Sequence, residues 1–326
     1  LFQRISHILL YVMIPDRTIM KPADPTARNY SFAGWYKDKE CTKNWNFETD
    51  KVTADTILYA KWNKKEYTDT VLVQTKSSAS ASYQQNNAGG YVEVTLPAIA
   101  EDRKQIKSSG YSYTCEAQSS ITLSVTVNPG YTFEGWYETS GEGIEKVSEE
   151  ASYTYSMIGN HTVYARFKPN TDTVYLIRHY KLSPDGSTEI CYKETRHTGT
   201  TGTRTKDATR IEVPGYNYVS GYNKNGKTEV LNGIIDGGGQ LVLKLYYEPN
   251  QDELFYQANA SDVTGITANT KGVTDQKVVV RESAFIRNGY SFTGWNTKSD
   301  GSGTGYRPGD YYPLAEGMDI LYAQWS

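Results

Sequence analysis

Four histidines (His7, His161, His179, His197) and three cysteines (Cys41, Cys115, Cys191) are the side chains best suited to acid–base, nucleophilic or metal chemistry. Neither set is spaced for it. No His-Glu-x-x-His occurs, so no two imidazoles share a helix face over a metal, and no Cys/His pair has ligand spacing. The cysteines lie 74 and 76 residues apart. An odd, scattered set is not a disulfide framework, and a secreted eukaryotic protein of small domains would usually carry more. All three are read as structural, since a buried cysteine acts as a small hydrophobe. Gly199–Thr203 and Gly237–Gly239 contain glycine but no Gly-Lys-Ser/Thr follows, so both are read as turns rather than phosphate loops. Asp300–Gly305 has one carboxylate where a calcium loop needs several. Nothing singles out a Lys/Asn/Asp triad for a side-chain crosslink. The expectation is a chain with no catalytic, cofactor-binding or metal residues, no cofactor, and no enzymatic activity.

The bulk composition narrows the partners. Lys plus Arg is 34 and Asp plus Glu is 37, a net charge of −3, which lacks the basic excess of a nucleic-acid binder. That balance also supplies no electrostatic attraction to an anionic membrane. No segment reaches the roughly 18 apolar residues of a membrane helix. Ile8–Ile14 is apolar and follows Arg4 and His7, as the tail of a signal peptide would. No small-x-small cleavage site follows it, and a strand of a first module is the preferred reading. Tyr (28) far outnumbers Phe (8), which fits pleated surfaces with one wet face and thin domains without a large apolar core.

The elements that could position anything come from internal repeats. One motif occurs three times, as Tyr30–Tyr36, Tyr131–Tyr137 and Tyr290–Asn296, each containing Phe, Gly and Trp at the same places. Each is followed by a closing motif: Leu58–Trp62, Val163–Phe167 and Leu321–Trp325. In the closing motif the third residue is Ala and the fourth is Lys, Arg or Gln. Alternation puts its first, third and fifth residues on one face and the polar residue on the other. The small Ala leaves room for a bulky neighbour, and the opening-motif Trp is the natural candidate. The Gly before that Trp signals a bulge or a close backbone approach. A Trp repeated in every module is read as core rather than as a sugar-stacking platform. Its burial contributes on the order of 4–6 kcal/mol as an upper estimate.

Short polar or Pro/Asn/Asp stretches divide the chain into four modules: 1–65, 66–170, 171–250 and 251–326. In the second, Thr70–Gln74 is read as a strand, Ser77–Gly90 as a long hairpin connection, and Ile121–Val127 as an alternating strand ending at Asn128-Pro129-Gly130. A short helix near Ala98–Lys107 is the best helical candidate. The third module lacks the Gly-Trp motif. It is read as strands at Val174–Ile177, Ile190–Tyr192 and Leu241–Tyr247, with a turn at Ser183–Gly186 and a further strand following Pro214–Tyr216.

The Gly-Trp modules resemble the Listeria–Bacteroides repeat, also called the internalin B-repeat. The resemblance runs through Lys21–Thr26, Tyr30–Tyr36 and Leu58–Trp62, and again through Gly289–Lys298, Asp300–Gly303 and Leu321–Trp325. The second module resembles the divergent form, ending in Phe167 rather than Trp. The third resembles the mucin-binding-protein type of repeat through Asp185-Gly186, Gly199, Gly202, Pro214–Tyr216 and Tyr246-Tyr247. Leu1–Leu10 departs from the usual first strand, so the chain is expected to begin inside a module. The resemblance implies a mainly β chain of small β-grasp-like modules with at most minor helix, in an elongated monomeric array. It also implies an extracellular place on a bacterial cell surface, anchored or secreted. The function expected is that of a stalk or spacer contributing to adhesion, with no nucleic-acid partner and no membrane insertion. The alternative is a binding module whose exposed loops engage a host glycan or surface protein.

Overall fold

The computed structural model describes residues 7–10, 16–96 and 103–326. Every regular element among them is a strand. They fall into two compact units, Leu1–Asn170 and Thr171–Ser326.

In the first unit, β1 (His7–Leu10), β2 (Tyr30–Tyr36) and β3 (Thr56–Lys64) form a sheet in the order β1-β3-β2. The strand expected within Ile8–Ile14 thus begins as β1, and positions 11–14 lie outside the described residues. Trp35 pairs with Ala60 across β2 and β3, and the register shifts between Phe32 and Gly34, leaving Ala33 as an extra residue. The side chains of Trp35, Trp45, Val52, Leu58 and Ala60 form the local core.

The same unit continues through β4 (Glu66–Lys76), β5 (Tyr83–Gln85), β6 (Gly90–Thr95), β7 (Arg103–Ile106) and β8 (Gly110–Glu116). Then come β9 (Ser120–Val127), β10 (Tyr131–Ser140), β11 (Gly143–Ser148), β12 (Ser152–Ser156) and β13 (His161–Pro169). One sheet runs β11-β10-β13-β4-β5, with β8 also on β4; the other runs β12-β9-β6-β7. Val71, Val73, Val163, Ala165 and Phe167 of the first sheet share a core with Val92, Val94, Ile121 and Leu123 of the second. The expected connection over Ser77–Gly90 contains β5, which folds back onto the end of β4. The helix expected near Ala98–Lys107 is corrected where it is described: Arg103–Ile106 is a strand paired with Val92–Thr95. The exposed edge of β6 offers backbone partners there that outweigh a weak helical preference, and residues 98–102 lie outside the described set.

The second unit opens with β14 (Thr173–Leu182), β15 (Glu189–Gly199), β16 (Tyr216–Tyr218), β17 (Asn223–Lys224), β18 (Lys227–Thr228) and β19 (Val242–Pro249). It continues with β20 (Gln251–Gln257), β21 (Val263–Thr264), β22 (Thr270–Val273), β23 (Lys277–Val279) and β24 (Ile286–Arg287). It closes with β25 (Phe292–Asn296), β26 (Gly305–Tyr306), β27 (Tyr311–Pro313) and β28 (Asp319–Trp325). The main sheets run β15-β14-β19-β16 and β22-β20-β28-β25-β26.

A common frame emerges. Three sheets contain β8-β4-β13-β10, β15-β14-β19-β16 and β22-β20-β28-β25. In each the central pair is parallel and joins the first strand to the last, with antiparallel partners outside. This is a β-grasp-like order, reached without a helix among the described residues. The third module adopts it although it lacks the Gly-Trp motif. The first differs, because β1 runs antiparallel to β3.

The repeated Trp residues are almost fully buried, and they face Ala60, Ala165 and Ala323. Gly34, Gly135 and Gly294, at the three bulges, have φ of 119°, 129° and 143°. Few L side chains tolerate that region.

Candidate functional sites

Two of the passages from one module to the next are a single residue long. Only Lys65 separates β3 from β4, and only Asn250 separates β19 from β20. Chain stiffness at such links depends on where their backbone groups are bonded. Lys65 N–H donates to Asn29 O at 3.0 Å, and Lys65 O accepts from Ala117 N–H at 2.7 Å. Asn250 repeats this, donating to Gly215 O and accepting from Thr274 N–H, both at 2.9 Å. Asn170 N–H likewise donates to Gly130 O at 2.8 Å. The three acceptors, Asn29, Gly130 and Gly215, each precede an opening strand and have left-handed φ of 68°, 79° and 73°. In that conformation the carbonyl turns out of the strand direction toward the link.

Side chains reinforce both bridged links. The Tyr30 hydroxyl donates to Gln118 Oε1 and the Tyr67 hydroxyl to Asn29 Oδ1, both at 3.2 Å. At the other link the Tyr216 hydroxyl donates to Asp275 Oδ2 at 2.6 Å. Burial first, and then the bond to Asp275, push the Tyr216 phenol pKa up. So at both bridged links the tyrosine that starts the opening strand, Tyr30 or Tyr216, reaches across into the following module. Sequence reading put Tyr30 in the opening motif and Tyr216 just ahead of a strand and assigned neither a partner; the backbone bonds leave no side-chain signature at all.

The second arrangement is a buried polar cluster at one end of the second module's sandwich. Asp69 on β4 is fully buried and stands between Tyr113 of β8 and His161 of β13 in the sheet register. The hydroxyls of Tyr113 and Tyr155 both donate to Asp69 Oδ2. His161 Nδ1 lies 3.3 Å from Asp69 Oδ1, and Nε2 lies 3.2 Å from Glu138 Oε2. The Nδ1 contact falls outside hydrogen-bond alignment. Glu138 also accepts from the Tyr153 hydroxyl at 2.7 Å. Burial opposes the imidazolium, but Asp69 and Glu138 outweigh it and raise the His161 pKa. The nearby Cys115 thiol is pushed up by burial and then by Asp69, the reverse of what an activated nucleophile needs. The cluster therefore clamps sheet to sheet.

The third feature is a groove of about 350 Å³ in the third module. Tyr175, His179, Lys193, His197, Lys206 and Asp207 are among its lining residues. His179 is buried, with Nδ1 2.9 Å from the Tyr247 hydroxyl. Burial, and then Lys193, lower its pKa. His197 stacks on Tyr175 with ring centroids 5.5 Å apart.

Of the four histidines, His161 meets carboxylates, His179 and His197 share the groove, and the side chain of His7 lies outside the described set. The three cysteines are free; Cys41 is buried, Cys115 half-buried and Cys191 exposed. Among the described residues no three His, Cys, Asp or Glu side chains converge as metal ligands. The Asp300–Gly305 loop is closed from inside by Asn296, whose Oδ1 accepts from Lys298 N–H and Gly303 N–H at 2.9 and 3.0 Å. Asp236 caps the Gly237–Gly239 turn through the amides of Gly238 and Gln240. The His161 cluster was missed because its partners stand far apart in the sequence; the alternating Tyr153-Thr154-Tyr155 was its one visible trace.

Small β modules, three of them β-grasp-like, with one-residue bridged links at Lys65 and Asn250, define a tandem β-repeat protein. The family model of the Listeria–Bacteroides repeat domain matches residues 13–61 and 255–324, and that of the divergent InlB B-repeat domain matches 71–171. A membrane protein of Evansella cellulosilytica is 27% identical over 94% of this chain and 40% of its own length. Internalin H of Listeria monocytogenes is 28% identical over 48% of this chain and 22% of its own length. The chain therefore spans less than half of either relative. Among solved structures, the TIE protein of Bacillus anthracis overlaps 83% of this chain and 54% of its own, at 9% identity and a TM-score of 0.31. The shaft pilin SpaA of Lactobacillus rhamnosus GG overlaps 57% of this chain and 98% of its own, at 9% identity and a TM-score of 0.26. Among the described residues no helix is long and apolar enough to cross a membrane.

Proposed function

We propose that this chain is a non-enzymatic spacer segment of a bacterial cell-surface protein. Four modules, 1–65, 66–170, 171–250 and 251–326, would stand in a row and project whatever they carry away from the cell wall. The observation that carries this reading is the bridged link. A flexible tether would leave the linker amide and carbonyl to water, whereas Lys65 and Asn250 each have both groups tied, one to each module. Such links suit a rod better than a string. The membrane protein and the internalin among its relatives support the extracellular placement. The third module is proposed as a mucin-binding-protein-like repeat on the motif that carries the resemblance.

Small-angle scattering of the full chain tests the reading. Strands of about ten residues span roughly 33 Å, so four modules in a row would reach on the order of 130–150 Å. A single globule of this length would have a radius of gyration near 20 Å. About twice that radius is expected, and a value near 20 Å would remove the spacer.

A second reading, binding of a host glycan or surface protein, is favoured by the groove in the third module. Its aromatic rings and lysines could hold a sugar bearing an acid group. A glycan array probed with the chain and with Lys193→Glu checks it: no bound glycan, or binding unchanged by the substitution, would exclude the groove as a glycan site.

A further inference from the structure

We infer that the second, third and fourth modules are built as shear clamps that hold tension applied along the chain. The carrying observation is the direction of the central strand pair. In each of these modules the first and last strands lie side by side and run parallel. The chain enters at the start of one and leaves at the end of the other. The two points of entry and exit are therefore at opposite ends of one ladder, and a pull between them acts along the strands. Every hydrogen bond of the ladder is then loaded at once. If the two strands were antiparallel, entry and exit would share one end, and the bonds would open one after another.

The registers set the strength of each clamp. In the second module it runs from Asp69 opposite His161 to Thr75 opposite Phe167. In the third it runs from Leu176 opposite Val242 to Lys181 opposite Tyr247. In the fourth it is shortest, from Leu254 opposite Asp319 to Gln257 opposite Tyr322. The ladders are also shielded. Val71, Val73, Val163, Ala165, Leu243, Leu245, Leu254 and Leu321 are fully buried beside the loaded bonds, which keeps water from replacing them as they stretch. In the second module the Asp69–His161 contact pins the ladder at the end where the load enters. The links pass the load on, because Lys65 and Asn250 lead from one loaded strand directly into the next. In the first module β1 is antiparallel to β3, so that pair would peel.

The inference takes its purpose from the spacer reading, but its test does not depend on it. The full chain, with Cys41, Cys115 and Cys191 replaced by serine, is stretched from its two ends in a single-molecule force instrument. Forced unfolding reads the unfolding rate directly. Three high-force events are expected, with chain releases of about 330, 240 and 230 Å, taken as roughly 3.5 Å per residue from first strand to last less the roughly 3.3 Å per residue that the folded ladder already spans. The longest release, from the second module, should need the highest force. A second arrangement pulls the same folded third module through Asp172→Cys and Thr200→Cys. These flank the open end of the β14–β15 hairpin, where Thr173 pairs with Gly199, so the load peels that pair. The peeling force should be several-fold below the end-to-end force for that module. Equal forces in the two geometries, or end-to-end events no stronger than peeling, would overturn the clamp. Low force together with an extended scattering radius would sink the clamp and leave the spacer standing; high force with a compact radius would do the opposite.

Discussion

Phe292 and Trp295 stand three residues apart on one strand, yet their rings meet on the same face, edge to face, with centroids 5.0 Å apart. In a regular strand residues three apart point to opposite faces. The extra residue at the bulge, Thr293, restores them to one side. The same device puts Phe133 on Trp136 at 5.3 Å and Phe32 on Trp35 at 5.5 Å. The opening motif thus spends Gly on a bulge so that two aromatic rings can share one small core, and Ala on the facing strand makes room for the larger of them.

Removing the larger ring should be severe. Trp295 is 1% exposed and its indole N–H donates to Arg281 O at 2.9 Å. Trp295→Ala should cost about 3–5 kcal/mol, most of what a module of this size has. Calorimetry of the full chain should show one transition lost or moved far down while the others stay. An unchanged profile would mean that the ring is not core.

The bulge glycines should differ in a set order. A methyl on Gly135 would meet Ser148 O at 2.5 Å, and one on Gly294 would meet Tyr306 O at 3.2 Å. At Gly34 the nearest atoms are side chains at 3.7 Å. All three also carry positive φ, a strain of about 1–3 kcal/mol for another residue. Substitution by Ala should therefore hurt most at Gly135 and least at Gly34. Denaturant unfolding of the three single variants gives the order directly.

These particulars show how far the sequence could be read. The Trp–Ala contact and the bulge were legible because both leave a side-chain signature that repeats. The parallel pairing of first and last strands was not, since strand direction leaves no mark in an alternating pattern. Nor were the links, whose bonds are made by backbone. The second module's extra sheet was legible only as strands: the alternation at Ile121–Val127 says that one face is buried but not against what. His161 looked isolated because its carboxylate partners come from β4 and β10.

Two histidines should give opposite pH responses. The His161 pKa is raised from an ordinary value near 6.5. Its stabilising contribution is then complete below 6.5 and is lost as pH rises through the higher folded value. The His179 pKa is lowered from 6.5 by burial. The folded state then disfavours its charged form, and the third module loses stability as pH falls below 6.5. Hydrogen exchange between pH 5.5 and 8.5, corrected for intrinsic rates, should show β4 and β13 loosening with rising pH and β14 and β19 with falling pH. His161→Gln should abolish the first trend and leave the second. Parallel trends in both modules would contradict the assignment.

The links should loosen independently of the cores they join. Gly215 has φ of +73°, and a side chain there would bring Cβ to 2.7 Å from Thr274 Cγ2. Thr274 is the residue whose amide holds Asn250 O. Gly215→Val therefore strains the turn and pushes away the bridge in one step. Tyr216→Phe is gentler: it deletes only the hydroxyl bond to the Asp275 carboxylate, at a cost of about 1.5–3 kcal/mol. In both variants the amides of Asn250 and Thr274 should exchange faster, and protease should nick the chain near Asn250. The amides of β14 and β28, which belong to the two cores, should keep their protection. Tyr30→Phe at the other link should have the smaller effect, because its bond to Gln118 is longer at 3.2 Å and exposed. Uniformly faster exchange across the second unit would mean that Gly215 and Tyr216 serve the fold as a whole, and the link would then be no separate device.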